Sequence, residues 1–425
     1  MNRQLLAATL AAAICTALVG CQRSTPDAAA PDAAATATPA TADTAAAPAE
    51  PAKAALTDLE QLAQRLVTQS AAVKEGEVVF ISGRPQDAEL MENIAVHVRK
   101  AGGFPLITYS SDRLAKRLFF DVPEQYDSQA DALGMKLAEL VDVNISLGNG
   151  MNENLFEGAD PKRMAARGKA DEPISQAFLK NNVRNIEIGN NLYPTPWRAE
   201  RYGMAEDELA QAFWNGVNLD YAELQTRGEQ VKAALAAGNE VHITNPNGTD
   251  LKVRVQGRPV LVSDGIISEA DRKAGGAALA AYLPAGEVYT TPVPGTAEGK
   301  IVHTRDFFRG KQIDNLTLTL AGGKVTALTG AGPGFADFKA AYDAVDDARK
   351  DLFGFVDLGI NPNVKLAAGS TVGTWVPAGT VTVGIGGNTW AGGDNSVPFG
   401  TTIYLPGSTL MLDGKAIVEN GVLKL

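Results

Sequence analysis

Apolar residues fall at helical spacing in "TDLEQLAQRLV", where Leu59, Leu62, Ala63, Leu66 and Val67 share one face of an amphipathic helix. Thr57 and Glu60 stand three residues apart, the spacing of a capping box, so the helix is expected to begin there. "EVVFISG" is a short apolar run that predicts a buried strand. A second helical stretch carries Leu90, Met91, Ile94 and Ala95 and stops at Gly102, and "FPLITYS" follows as another strand. Strand, helix, strand in this order predicts a βαβ unit, hence a mostly parallel sheet with helices on its faces. "LVDVNISLG" and helical segments around 206–216 and 221–236 extend the same pattern. No Gly-x-Gly-x-x-Gly follows the first strand, so nothing points to a dinucleotide site.

The texture changes after Gly238. "EVHITNPNGTDLKVRVQG" alternates as strand, turn, strand, with Asn247-Gly248 at the turn, the strongest short hairpin signal. "GKIVHT", "NLTLTLAGGKVTALTG", "GTVTVGIGG", "TTIYLP" and "STLMLDGKAIVENGVLKL" are strand-like, and one helix is expected from about Asp337 to Leu352. The fold class that follows is an α/β N-terminal domain, residues 56–238, and a β-rich α+β C-terminal domain, residues 239–425.

Composition adds the front end. The 425-residue chain is 45% hydrophobic with a formal charge of -11, and no basic cluster interrupts it. Nucleic acid needs a Lys/Arg-rich face, so it is not an expected partner. Arg3 precedes an apolar run from Leu5 to Val19, shorter than the roughly 20 residues that span a bilayer, which reads as a signal peptide over residues 1–20. The run ends in "LVGC", which resembles a bacterial lipobox and implies cleavage before Cys21 and acylation of that residue. Gln22 follows, where retention in the inner membrane would favour Asp. The expected location is therefore the bacterial cell envelope, lipid-anchored at the outer membrane and facing the periplasm. Residues 21–55 are mostly Ala, Pro, Thr, Asp and Glu. They form a tether that cannot bury a core, with a coil reach of roughly 30 Å. The two cysteines are Cys15 and Cys21, so the body has no thiol for a disulfide or a thiolate metal site.

The later segments read together as "NPNGTDL", "YLPAGEVYTTPVPGTAEGKIV", "DLGINPN", "GTVTVGIGGN", "GGDNS" and "LDGKAI", with "YPTPWRAERYGM" from the first half. From about residue 58 to its end the chain resembles the thermophilic-type metalloaminopeptidases, the aminopeptidase T and aminopeptidase S family. The resemblance implies the two-domain fold above, commonly as a homodimer, and release of N-terminal amino acids by two divalent metals (zinc, cobalt or manganese). Such ions lie about 3.5–4 Å apart and share bridging carboxylates. The resemblance makes Glu287, in the Leu-Pro-x-Gly-Glu turn, a metal ligand.

Its partners are replaced. A second Glu is expected before the Asn-Pro element; Phe355 stands there by direct counting, and Asp357 serves if the loop is two residues shorter. Thr382 stands where a His is expected, and Phe399 and Thr401 stand at a final His-x-Asp. The histidines are His97, His242 and His303, with none beyond. His242 and His303 lie in strand-like runs that predict solvent-facing or hydrogen-bonded rings. Full binding of two metals is thus not expected. Trp375, Trp390 and Asp394 flank the altered site as candidate cleft residues. The leading expectation is a lipoprotein that binds a peptide or small molecule in the old substrate cleft. The alternatives are an altered hydrolase using Glu287 and Asp357, and a structural envelope protein. No Gly-x-Ser-x-Gly occurs, so a serine nucleophile has no placement.

Overall fold

The structure, a computed structural model, describes residues 56–147, 150–367 and 370–425. The signal peptide, the tether and the lipidation site at Cys21 lie outside the described residues.

Helix α1, Leu59–Arg65, continues through a π turn at Leu66–Ser70 and buries Leu62, Ala63, Leu66 and Val67. Its cap differs from the sequence expectation. Asp58 accepts from the Gln61 backbone N–H at 2.9 Å, while Thr57 bonds Asn218 and Glu60 turns to His97 and Lys100. The cap thus sits one residue later than expected, where the Asp58 carboxylate accepts the Gln61 amide as a charge-assisted bond that a Thr hydroxyl could not match.

Strand β1 (Val78–Gly83), helix α2 (Ala88–Lys100) and β2 (Phe104–Tyr109) form the expected βαβ unit, with β1 and β2 parallel. Helices α3 (Asp112–Phe120) and α4 (Ala132–Leu140) lead to β3 (Val143–Leu147), and α5 (Pro161–Lys180) leads to β4 (Arg184–Ile188). Helices α6 (Pro196–Tyr202), α7 (Glu206–Val217) and α8 (Tyr221–Ala237) follow.

The β-rich half begins with the hairpin β5 (Glu240–Asn245) and β6 (Thr249–Arg254), turned at Asn247-Gly248 as its sequence predicts. It continues through β7 (Val260–Ser263), a short helix α9 (Glu269–Ala274), β8 (Ala280–Leu283) and β9 (Glu287–Thr290). Long strands β10 (Glu298–Phe308), β11 (Lys311–Ala321) and β12 (Lys324–Ala331) precede α10 (Phe335–Asp343). That helix is shorter than expected, because the chain breaks at Ala344 and resumes as a single 3-10 turn at Ala348–Asp351. Strands β13 (Phe353–Gly359), β14 (Val381–Gly386), β15 (Gly400–Leu405), β16 (Thr409–Leu412), β17 (Lys415–Glu419) and β18 (Val422–Leu423) complete the chain.

Three sheets result: a parallel one in the order β2-β1-β3-β4-β8, an antiparallel one in the order β12-β11-β10-β6-β5-β16-β17-β18, and an antiparallel one in the order β15-β14-β13-β9-β7. The α/β-then-β-rich layout matches the sequence expectation. The crossing of β8 back to β4 does not respect a division at residue 238, since Ala280–Leu283 pair in parallel with Asn185–Ile188. One continuous apolar cluster accordingly joins Leu62 and Met91 of the first half to Ile385 and Val418 of the second. No described helix is long and apolar enough to cross a membrane.

A candidate site on the second antiparallel sheet

Every residue of β13 and β14 is buried, so both faces of this sheet's centre are covered. One face carries Val262, Val288, Leu358 and Val381 in register. Gly228 of α8 lies close against Val262 there. The other face is where the resemblance gathers its ligands. Register sets Leu261, Tyr289, Asp357, Thr382 and Tyr404 in a single row across five strands. Glu287 lies two residues from Tyr289, opposite Gly359, and so on the same face. It is diagonal to Asp357, which in an antiparallel pair is about 7–8 Å away. Glu287, Asp357 and Thr382 are each 0% exposed.

The turn that presents Glu287 is held rigidly. Gly286 has φ +129°, and a Cβ there would come within 2.6 Å of Asn361, so glycine is required. Ile360 N donates to the Gly286 carbonyl at 2.8 Å, and Gly286 N donates to Ser263 O at 2.8 Å. Asn361 Nδ2 donates to Ala285 O at 2.6 Å. The Glu287 carboxylate accepts from Asn190 Nδ2 at 2.7 Å, and the same Asn190 amide reaches Pro284 O at 3.1 Å. Sequence reasoning missed Asn190. Its signal was the polar pair Asn190-Asn191 directly after the apolar strand "IEIG", at the carboxyl end of a parallel strand where α/β sheets open their crevices.

Aromatic rings occupy the rest of the face. Phe355 sits opposite Gly384, and a Cβ on Gly384 would collide with the Phe355 ring. Trp375, 1% exposed, stacks on Phe355 with centroids 5.3 Å apart and planes at 22°. Trp390 meets Phe355 at 4.8 Å, Tyr289 at 5.0 Å and Trp375 at 5.4 Å. Tyr404 packs edge-on against Trp375 at 5.8 Å. The two tryptophans, candidates either to line a cleft or to fill space, are packed together, with Trp375 buried and Trp390 half-buried. Asp394 does not join them; it is exposed in the loop before β15.

Register also corrects the expected His-x-Asp positions. Thr401 pairs with Ile385 and faces away from Asp357, whereas Thr402 and Tyr404 pair with Gly384 and Thr382 on the site's face. Phe399 packs against Tyr342 at 5.4 Å. The period of two along β15 puts the counted positions one residue out of step. Thr382 Oγ1 finds no hydrogen-bond partner among the described residues.

The three histidines lie on α2, β5 and β10, outside the sheet that carries the two carboxylates. His97 is buried on α2 and bonds Glu60 at 2.9 Å. His242 bonds Asp250 at 2.7 Å as its strand predicts. His303 departs from expectation. It is fully buried, its Nδ1 lies 3.6 Å from Asp306 Oδ2, and its ring centroid is 6.4 Å from Tyr404. Neither ring nitrogen has a hydrogen-bond partner among the described residues, because β10 turns this position into the interior between sheets.

A polar rim borders the aromatic cluster. Asn191 Nδ2 donates to Tyr404 OH at 3.1 Å. Thr374 Oγ1 donates to Asn190 O at 3.3 Å. Tyr193 OH donates to Asp87 Oδ1 at 2.6 Å. Burial raises Asp87 to about 6 against the opposing pull of the Tyr193 hydroxyl. Burial likewise holds the Tyr202 phenol up at about 12 and lowers the Arg198 guanidinium.

A model of the thermophilic metalloprotease (M29) family matches residues 56–335. Aminopeptidase PepS of Streptococcus thermophilus is 24% identical over 306 residues, 64% of this chain and 70% of that one. Among solved structures, wild-type AmpT from Thermus thermophilus superposes with a TM-score of 0.65 at 16% identity, covering 86% of this chain and 99% of that one. The 2,5-dihydroxypyridine dioxygenase from Pseudomonas putida KT2440 superposes with a TM-score of 0.57 at 14% identity, covering 87% and 98%.

Proposed function

The chain belongs to the thermophilic metalloprotease (M29) family, and from that premise we propose a lipid-anchored envelope protein that binds a peptide or small molecule and does not hydrolyse one. The observation that carries this reading is the filling of the site's face by Phe355, Trp375 and Trp390 beside the Glu287 and Asp357 carboxylates. Two divalent ions need bridging carboxylates and further nitrogen or oxygen donors. Here the donors are Glu287, Asp357 and the Thr382 hydroxyl. Among the described residues no three His, Cys, Asp or Glu side chains gather as metal ligands would. A neutral hydroxyl and a benzyl group replace neither an imidazole lone pair nor a charge, so the residues present do not fit a dinuclear centre. Glu287 on this reading is a structural acceptor for Asn190, tying the end of β4 to β9.

Fold alone leaves the chemistry open, since the solved structures that share it include a dioxygenase. The anchor at Cys21 and the outer-membrane location belong to the same proposal and rest on the "LVGC" segment. Complete burial of Glu287, Asp357 and Trp375 favours one second reading, a structural envelope protein whose former cleft is packed shut. Ligand binding at the polar rim separates the two.

The test is elemental analysis and aminoacyl-anilide turnover on one purified sample. Metal far below one equivalent and no turnover are expected, unchanged in Glu287→Gln. Stoichiometric zinc, cobalt or manganese, with turnover lost in Glu287→Ala, would overturn the proposal in favour of an altered hydrolase.

A further inference from the structure

We propose that Arg198 is the anchor of an anion site that takes the carboxylate of a small peptide or amino acid at the polar rim. Arg198 lies in the "YPTPWRAERYGM" segment, on α6, and is 7% exposed. Thr195 Oγ1 accepts from its backbone N–H at 3.3 Å and fixes the start of the helix. Its guanidinium donates from Nη1 to Tyr193 O at 2.9 Å and stacks on Trp197, 4.3 Å from the ring centroid. Among the described residues no carboxylate lies within ion-pair distance of it. The neighbouring Arg201, by contrast, pairs with Glu153.

A guanidinium carries five donors in a planar fork, and one carbonyl uses one of them. Burying a cation without a counter-charge costs several kcal/mol. Burial lowers the Arg198 pKa, and the titratable groups nearest it are the neutral phenols of Tyr202, Tyr404 and Tyr193 rather than an acid. Phenol dipoles solvate a cation only weakly, so the fork retains capacity for a bidentate oxyanion. Around it Asn191, Tyr193, Trp197 and Tyr404 are half-buried, which gives a rim of flat, polar-tipped rings. The fork itself matches carboxylate and phosphate alike; the half-buried rings beside it offer apolar surface to the side chain of a peptide or amino acid, which inorganic phosphate lacks. Tyr404 links this rim to the aromatic face through Asn191.

The inference rests on the reading of the body as a binding protein, and the two fail separately: metal content and turnover test that reading, anion response tests this one. Glycylphenylalanine, its C-terminal amide and inorganic phosphate are titrated into the full-length protein in detergent, following tryptophan fluorescence and the unfolding midpoint. The free acid is expected to give a saturable quench and a higher midpoint. The amide is expected to bind roughly ten- to a hundredfold more weakly, and phosphate no better than the amide. Arg198→Met is expected to abolish the preference for acid over amide; it also removes the bond to Tyr193 O, so its midpoint serves only to show that it folds. If that variant does not fold, Arg198→Lys, which keeps the charge without the fork, is expected to narrow the preference. Equal binding of acid and amide, a response to phosphate alone, no response to any of the three, or an undiminished acid preference in the variant would each overturn the assignment.

Discussion

Replacing Trp375 by alanine separates a packed site from an open one. Trp375 is 1% exposed, stacked on Phe355 and edge-on to Trp390 and Tyr404. Removing a fully buried tryptophan costs about 3–5 kcal/mol in lost transfer energy and residual cavity. Each aromatic pair adds about 0.5–1.5 kcal/mol beyond area burial, but the three pairs share one ring and overlap with the cavity cost. The upper half of the 3–5 range, about 4–5 kcal/mol, is therefore expected. Urea unfolding followed by far-ultraviolet circular dichroism measures it, with an unchanged m-value showing that the loss lies in the native state. A tryptophan lining a solvent-filled cleft would instead lose about 0.5 kcal/mol or less, within the spread of exposed substitutions. A loss that small, with retained fold, refutes the claim that aromatic packing has closed the site.

Two further outcomes follow from the same structure and one from the sequence. Burial raises Asp87 and Asp264 each to about 6, and burial with Asp131 nearby raises Asp171 to about 7. A carboxyl whose native value exceeds its unfolded one holds its proton longer when folded, so stability should decline as pH climbs from about 4 through these values. The thermal midpoint is expected to be higher at pH 5 than at pH 8, and Asp87→Asn should remove part of the slope, at most about 3 kcal/mol. Glu287→Gln preserves an oxygen for the Asn190 amide and should change stability by no more than about 1 kcal/mol, as read from urea midpoints. Cys21→Ser should move the protein from the detergent phase to the aqueous phase in a partition assay and remove the mass of the acyl groups; retention in the detergent phase would count against the anchor.

Much of the fold was legible because its signals are local. The alternation of Leu251, Val253 and their exposed neighbours marks β6. The βαβ order around Val78–Tyr109 implies the parallel sheet that forms. Asn247-Gly248 fixes a hairpin turn. That the chain has no histidine beyond His303 was legible too, because residue identity needs no coordinates. Less legible were Asn190 and Asn191, which lie far in sequence from Glu287 and Tyr404 and meet them only through tertiary contact.

By itself the sequence determined the types and order of elements, the α/β-then-β-rich class, and the shortage of nitrogen donors in the second half. Periodicity, turn chemistry and composition act within a few residues, and no packing can supply an imidazole that the chain lacks. Only the tertiary structure decided that Thr402 rather than Thr401 faces Asp357, that β8 returns to the first sheet, and that Trp375 and Trp390 fill a face instead of lining an opening. Strand register, sheet crossover and layer closure are set by contacts between distant segments, and a one-residue change of register turns every side chain of a strand to the other face.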